Sequence, residues 1–232
     1  MKPILLFLFL PINLSYSPGI FSGVLKYEVR FANSMHTGMT YTTIYENADQ
    51  ARVESVSMED KNGTPDPTSA KPQNVLIYDF NANKTTHLVA KQNMATIMSN
   101  NPDPAEMMMN KMGSTVQIEN LGPEKIGSYS CTHYAMRTIN PKIKAGDDSK
   151  KEFWITNELG ASGIQYVSAF LYYYKNGYMA KKLSDAGATG VVVRWKISDV
   201  VCNLVSVDTK SPDVSSFTIP SGYTTRDAGS MF

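Results

Sequence analysis

Six methionines, Met94, Met98, Met107, Met108, Met109 and Met112, fall within nineteen residues of this chain. The thioether is flexible and polarizable, so such a cluster can repack around apolar ligands of varied shape. It can equally fill irregular gaps in a core. Thioethers are also soft ligands suited to copper(I). For that chemistry the spacing offers one clean i, i+4 pair, Met108 and Met112, and no histidine stands close by. His36, His87 and His133 are isolated, whereas zinc sites draw on clustered His and Cys. No Gly-x-Ser-x-Gly, His-Glu-x-x-His or Walker sequence occurs. The acidic pairs Glu59-Asp60 and Asp147-Asp148 fall in polar stretches. No catalytic residue, metal or cofactor is assigned, and the expectation is a non-catalytic protein that holds a ligand or partner.

Two helices are expected to position these groups. Asp103-Pro-Ala-Glu106 is a helix start, with Asp at the N-cap, Pro at N1 and Glu at N3, and Gly113 stops the helix after Met112. A second helix is expected over Gly163 to Lys175, where Ile164, Val167, Phe170, Leu171 and Tyr174 fall at helical spacing. Gly177 would terminate it. The ligand-binding surface read from the sequence is therefore the six methionines together with Val167, Phe170, Leu171 and Tyr174. Tyr172-Tyr-Tyr174 and Tyr178 cover nearly a full turn, so some of these rings would face outward.

The rest of the chain reads as strands. Leu25, Tyr27, Val29 and Phe31 alternate with Lys26, Glu28 and Arg30, the period of a half-buried strand. Similar runs cover Tyr41 to Tyr45, Arg52 to Met58, Val75 to Phe80 and Lys84 to Lys91, the last two joined by the turn Asn81-Ala-Asn83. Ser114 to Leu121, Cys131 to Ile139, Glu152 to Thr156, Val191 to Ile197 and Val201 to Asp208 complete about ten. That number of short strands indicates a mainly β (α+β) fold, an antiparallel sheet curled into a barrel or half-barrel beneath two short helices. Asp60 to Lys71 and Pro141 to Lys151 read as polar loops. Asn62-Gly-Thr64 and Asn83-Lys-Thr85 match the glycosylation sequon, a pattern short enough to arise by chance.

The N-terminus has one cation, Lys2, then seven apolar residues, Ile4 to Leu10, too few for a spanning helix of about 20. This is the pattern of a secretory signal peptide over residues 1–17, with cleavage between Ser15 and Ser22, and an exported protein, periplasmic or secreted. A single domain over residues 20–232 follows. Removing Lys2 leaves 21 basic against 21 acidic residues, and no basic excess for nucleic acid. In an oxidising compartment a disulfide between Cys131 and Cys202 is the expectation, with two buried thiols as the alternative.

Assembled, the motifs are Phe21-Ser-Gly-Val-Leu-Lys-Tyr27, Thr43-Ile-Tyr45, Val75-Leu-Ile-Tyr-Asp79, Ile126-Gly-Ser-Tyr-Ser-Cys131, Glu152-Phe-Trp-Ile155 and Ser216-Phe-Thr-Ile-Pro-Ser-Gly-Tyr223. That series resembles the exported bacterial proteins of the domain of unknown function 4412 family. This family in turn is similar to the outer-membrane lipoprotein carriers, the LolA/LolB-like fold. The resemblance implies a curved antiparallel sheet whose concave apolar face receives acyl chains, and it implies no catalytic residues. The expected function is binding of a lipid or acylated protein in the cell envelope, with peripheral membrane contact. Two alternatives stand beside it. One is an envelope interaction module with a filled core. The other is a copper(I) binder built from the methionines.

Overall fold

The computed structural model describes residues 19–33, 36–59, 72, 74–100, 103–140, 150–162, 164–166, 172–174 and 177–230. The expected leader and the loop at 60–71 lie outside them, as does most of the loop expected over 141–151.

Six N-terminal strands form an antiparallel meander, in which each alternating run pairs with the next. They are β1 (Gly23–Asn33), β2 (His36–Glu46), β3 (Gln50–Glu59), β4 (Asn74–Asp79), β5 (Lys84–Val89) and β6 (Met94–Ser99). After helix α1 (Pro104–Met112), strands β7 (Thr115–Ile126), β8 (Tyr129–Ile139) and β9 (Lys151–Thr156) make a second meander. The short pair β10 (Ile164–Tyr166) and β11 (Tyr172–Tyr174) stands apart from the main sheet. Helix α2 (Tyr178–Asp185) precedes β12 (Val191–Ile197), β13 (Val200–Asp208) and the final strand β14 (Thr224–Ser230). Twelve strands join in the order β14-β6-β5-β4-β3-β2-β1-β13-β12-β9-β8-β7. The sheet is thus larger than the expected ten strands. It is open, with β7 and β14 at its ends. Its one parallel pair is β14 with β6.

Covalent reach requires this sheet to curve. Strands β6 and β7 stand second and twelfth in it, ten spacings apart, which in a flat sheet is about 48 Å. The chain linking Ser99 to Thr115 contains the nine-residue α1, about 14 Å long. Its eight non-helical steps add at most about 28 Å. The two ends of the sheet are therefore drawn toward each other, and the face that carries α1 and α2 is the inner one.

Alternation assigns every side chain to a face. Val29, Cys202, Trp195, Phe153 and Tyr134 are successive cross-strand partners on the inner face. All are buried, with Tyr27, Leu25, Ile44 and Val53 beside them and Met179 and Leu183 of α2 packed on top. The outer face of β4 to β6 is sealed by the C-terminal segment. There Phe217, Ile219 and Tyr223 pack on Val75, Ile77, Leu88 and Ala95. Arg52, paired with Glu54 at 2.7 Å, donates from Nη1 to the Ser216 carbonyl at 3.1 Å. The Phe217-to-Tyr223 motif is therefore a strap across the sheet.

Cys131 and Cys202 are free thiols, which corrects the disulfide expectation. They lie on β8 and β13, three spacings or about 14 Å apart, where a disulfide needs Cα atoms within about 7 Å. They also point to opposite faces, Cys202 into the main core and Cys131 against Trp154 and Val193 outside. Burial pushes the Cys131 thiol up to about 11 and raises Cys202 well above its ordinary value. Both should resist alkylation while the protein is folded. Mass spectrometry after iodoacetamide treatment should show no adduct on native protein and two adducts on unfolded, unreduced protein. A cross-linked pair in the unreduced sample would refute this assignment.

Candidate functional site

Helix α1 begins and ends where its sequence signals place it. Asp103 Oδ1 accepts from the Glu106 amide at 2.9 Å, Pro104 stands at N1, and Gly113 closes the helix at φ +61°. The second helix is expected over Gly163 to Lys175, but the described residues of that span, 164–166 and 172–174, are strands. Within that span Ile164 pairs with Tyr174 and Tyr166 with Tyr172 across β10 and β11. Isoleucine and tyrosine favour strands, and this preference overrides a helical spacing that rests on only five positions. Val167, Phe170 and Leu171 lie outside the described residues, and Tyr174 ends β11. Gly177, expected to terminate that helix, is instead the N-cap of α2.

Glycine has no side chain with which to cap α2, and Asp103 supplies one from the other helix. Its Oδ2 accepts from the Tyr178 amide at 2.9 Å. One carboxylate thus satisfies the first turns of both helices and ties them together. Between them opens a cleft of about 330 Å³ lined by Asp103, Glu106, Tyr178, Lys181, Lys182 and Asp185. Lys182 lies 5.6 Å from the centre of the Tyr178 ring. Both signs of charge line this cleft, so it suits a polar or zwitterionic group. Sequence reading missed it because α2 is only eight residues long. Its apolar pair, Met179 and Leu183, is a single i, i+4 step.

The methionines frame the space beside this cleft. Along one inner-face row, Leu25, Ile44 and Val53 are buried, whereas their continuing partners Leu76, His87 and Thr96 are only half-buried. Among the described residues this row of the inner face is therefore less covered toward β6. Met98, opposite Thr85, and Met94, opposite Val89, stand half-buried on that less covered end. On α1, Ala105, Met109 and Met112 fall at i, i+4, i+7 and are half-buried, and Ala105 reaches the main core. Met107 is half-buried as well, while Met108 is 59% exposed. The six methionines thus divide between the β6 end of the sheet and the helix bridging its two ends. The i, i+4 pair Met108 and Met112 is split between solvent and a half-buried setting.

A family model described as a domain of unknown function (DUF4412) matches residues 21–223. Among solved structures, one described as "Structure of PNGF-II in P21 space group" is similar over 90% of this chain, at 16% identity and a TM-score of 0.48. The match covers 32% of that chain, so this protein spans about a third of its length. No curated protein matches the sequence.

Proposed function

The chain belongs to the DUF4412 family, and on its geometry we propose that it is a non-catalytic cell-envelope protein that binds an amphipathic ligand, a lipid or an acylated protein. The acyl chain lies on the inner face of β4 to β6, against Met94 and Met98, with α1 as its cover. The polar head lies in the charged cleft between α1 and α2. This is the mode of action of the lipoprotein carriers, whose likeness to this chain is part of the proposal. The observation that carries it is the fall in burial along the inner face, from Leu25 to Thr96, ending beside the methionines. Each methylene buried there contributes about 0.8 kcal/mol, so partial burial of a long chain offsets the entropy of binding.

The filled centre of the inner face, where Trp195, Tyr27 and Phe153 are buried, favours the second reading, an envelope interaction module without a ligand. The two readings separate in one experiment. Residues 19–232, which keep the buried Phe21, are expressed in an oxidising compartment, native mass spectra are recorded before and after organic extraction, and a fluorescent fatty acid and a phospholipid are added to the extracted protein. A lipid-sized adduct or saturable uptake supports binding. No adduct and no uptake would leave the interaction module.

If uptake is measured, Met94→Glu with Met98→Glu should weaken it about tenfold or more, since a carboxylate replaces apolar contact worth about 1.4 kcal/mol. Met108→Glu, in solvent, should leave it unchanged. Equal affinities for the two variants would place the ligand elsewhere.

A further inference from the structure

The outer face carries a second constellation, independent of the inner-face ligand. Arg194, Trp154, His133 and Gly122 are cross-strand partners in one row running from β12 through β9 and β8 to the edge strand β7. The Arg194 guanidinium lies 5.9 Å from the centre of the Trp154 ring. The Trp154 and His133 rings stack at 4.2 Å with their planes 14° apart. At the next position the side chain is missing. Gly122 has φ +104°, and a Cβ built there would meet nothing within 4 Å. The stack therefore ends one layer short of the sheet edge, where β7 supplies no side chain opposite the imidazole.

The imidazole is held in place on both sides. Its Nδ1 lies 3.3 Å from Glu124 Oε2 and its Nε2 lies 3.4 Å from Glu152 Oε1, the second contact without hydrogen-bond alignment. Glu124 Oε2 also accepts from Trp154 Nε1 at 2.7 Å. Glu152 is neutralised by Lys150 at 3.0 Å, whose hydrogen bond holds that carboxyl below its ordinary range. Among the described residues, Glu124, 48% exposed, and Glu119, on the same face of β7, pair with no lysine or arginine. They flank Gly122 in sequence, one before the β-bulge and one after it.

We propose that the open position over Gly122 is a subsite for a planar cation, a guanidinium group stacked on the His133 ring and hydrogen-bonded to Glu124. A guanidinium is flat enough to add a layer, weakly hydrated, and rich in N–H donors for a carboxylate. An ammonium answers the charge without stacking. A neutral aromatic ring stacks without answering the charge. The guanidinium arrives either on an arginine of a polypeptide or on a free small molecule.

The test titrates N-acetyl-arginine amide and N-acetyl-lysine amide into the ¹⁵N-labelled full chain and follows the Gly122 amide and the Trp154 indole N–H. The arginine compound should shift both signals saturably, with the lysine compound at least about fivefold weaker. Glu124→Gln, which keeps an oxygen to accept from the Trp154 indole, should weaken arginine binding at least about fivefold. His133→Ala should do the same. A capped Gly-Arg-Gly peptide that binds more tightly than the amide identifies a polypeptide source, and equal affinity a free guanidino compound. Absence of a saturable shift at Gly122 would overturn the proposal. So would equal response to lysine and arginine, or arginine binding unaffected by Glu124→Gln.

Discussion

Trp195→Ala is expected to be the most damaging single truncation in the core. The indole is 1% exposed and sits between Cys202 and Phe153 at the centre of the inner face. Removing it deletes the largest of the fully buried side chains. The strands on either side are held by their ladders and cannot collapse into the gap. A truncation of this kind costs about 3–5 kcal/mol, a large share of the roughly 5–15 kcal/mol by which folded domains are stable. For a domain of this size the midpoint of thermal unfolding should fall by roughly 6–20 °C. Met108→Ala, a comparable truncation in solvent, should stay within about 0.5 kcal/mol of the parent. A Trp195→Ala protein as stable as Met108→Ala would mean that the sheet's core is not centred on this row.

The second large effect belongs to Asp103. Asp103→Ala removes the acceptor for Glu106 and the acceptor for Tyr178 together. Each lost cap is worth about 1 kcal/mol, and the loss falls on two short helices whose only shared polar tie is this carboxylate among the hydrogen bonds between described residues. A destabilisation of about 2 kcal/mol is expected, with faster hydrogen exchange at both first turns. Asp103→Asn keeps one carbonyl oxygen and can satisfy one amide, so it should cost about half as much and speed exchange in one helix only. Identical exchange rates for the Asn and Ala variants would show that the double cap does not couple the helices. If α1 and α2 form the ligand's cover, Asp103→Ala should also raise the rate of ligand release.

Local signals were legible wherever the governing interactions are local. The alternation of Leu25 to Phe31 yields β1, and Asp103, Pro104 and Gly113 bound α1 where caps demand. Met94 to Ser99 becomes β6 because it pairs with β5, a partnership that a methionine-rich stretch with little alternation does not announce. Residues 164–166 and 172–174 supply the opposite error, a helical spacing that yields to strand-forming side chains. Cys131 and Cys202 each lie on a strand as expected, but strand order decides whether thiols meet, and order follows from long-range pairing. For the same reason His133, isolated in sequence, acquires Trp154, Glu124 and Glu152 only once β7, β8 and β9 lie side by side. The half-open concave surface is likewise a property of the curved sheet, visible in no single segment.

The pairing of β1 with β13 sets a timetable. Val24 lies opposite Asp208 and Phe31 opposite Val200, so β1 finds its second neighbour only after β2 to β12 have been made. Until then β1 to β6 and β7 to β9 can close as separate meanders. Each has a bare edge where backbone groups await partners, and bare edges invite association between chains. Closing so long a loop is entropically expensive and slow. The strap from Val214 to Tyr223 and the parallel strand β14, which lie on β4 to β6, are made only after β13. A chain stopped before Val200 should therefore accumulate as two sticky half-sheets, and the segment from β13 through β14 acts as the fastening that ends the interval of risk.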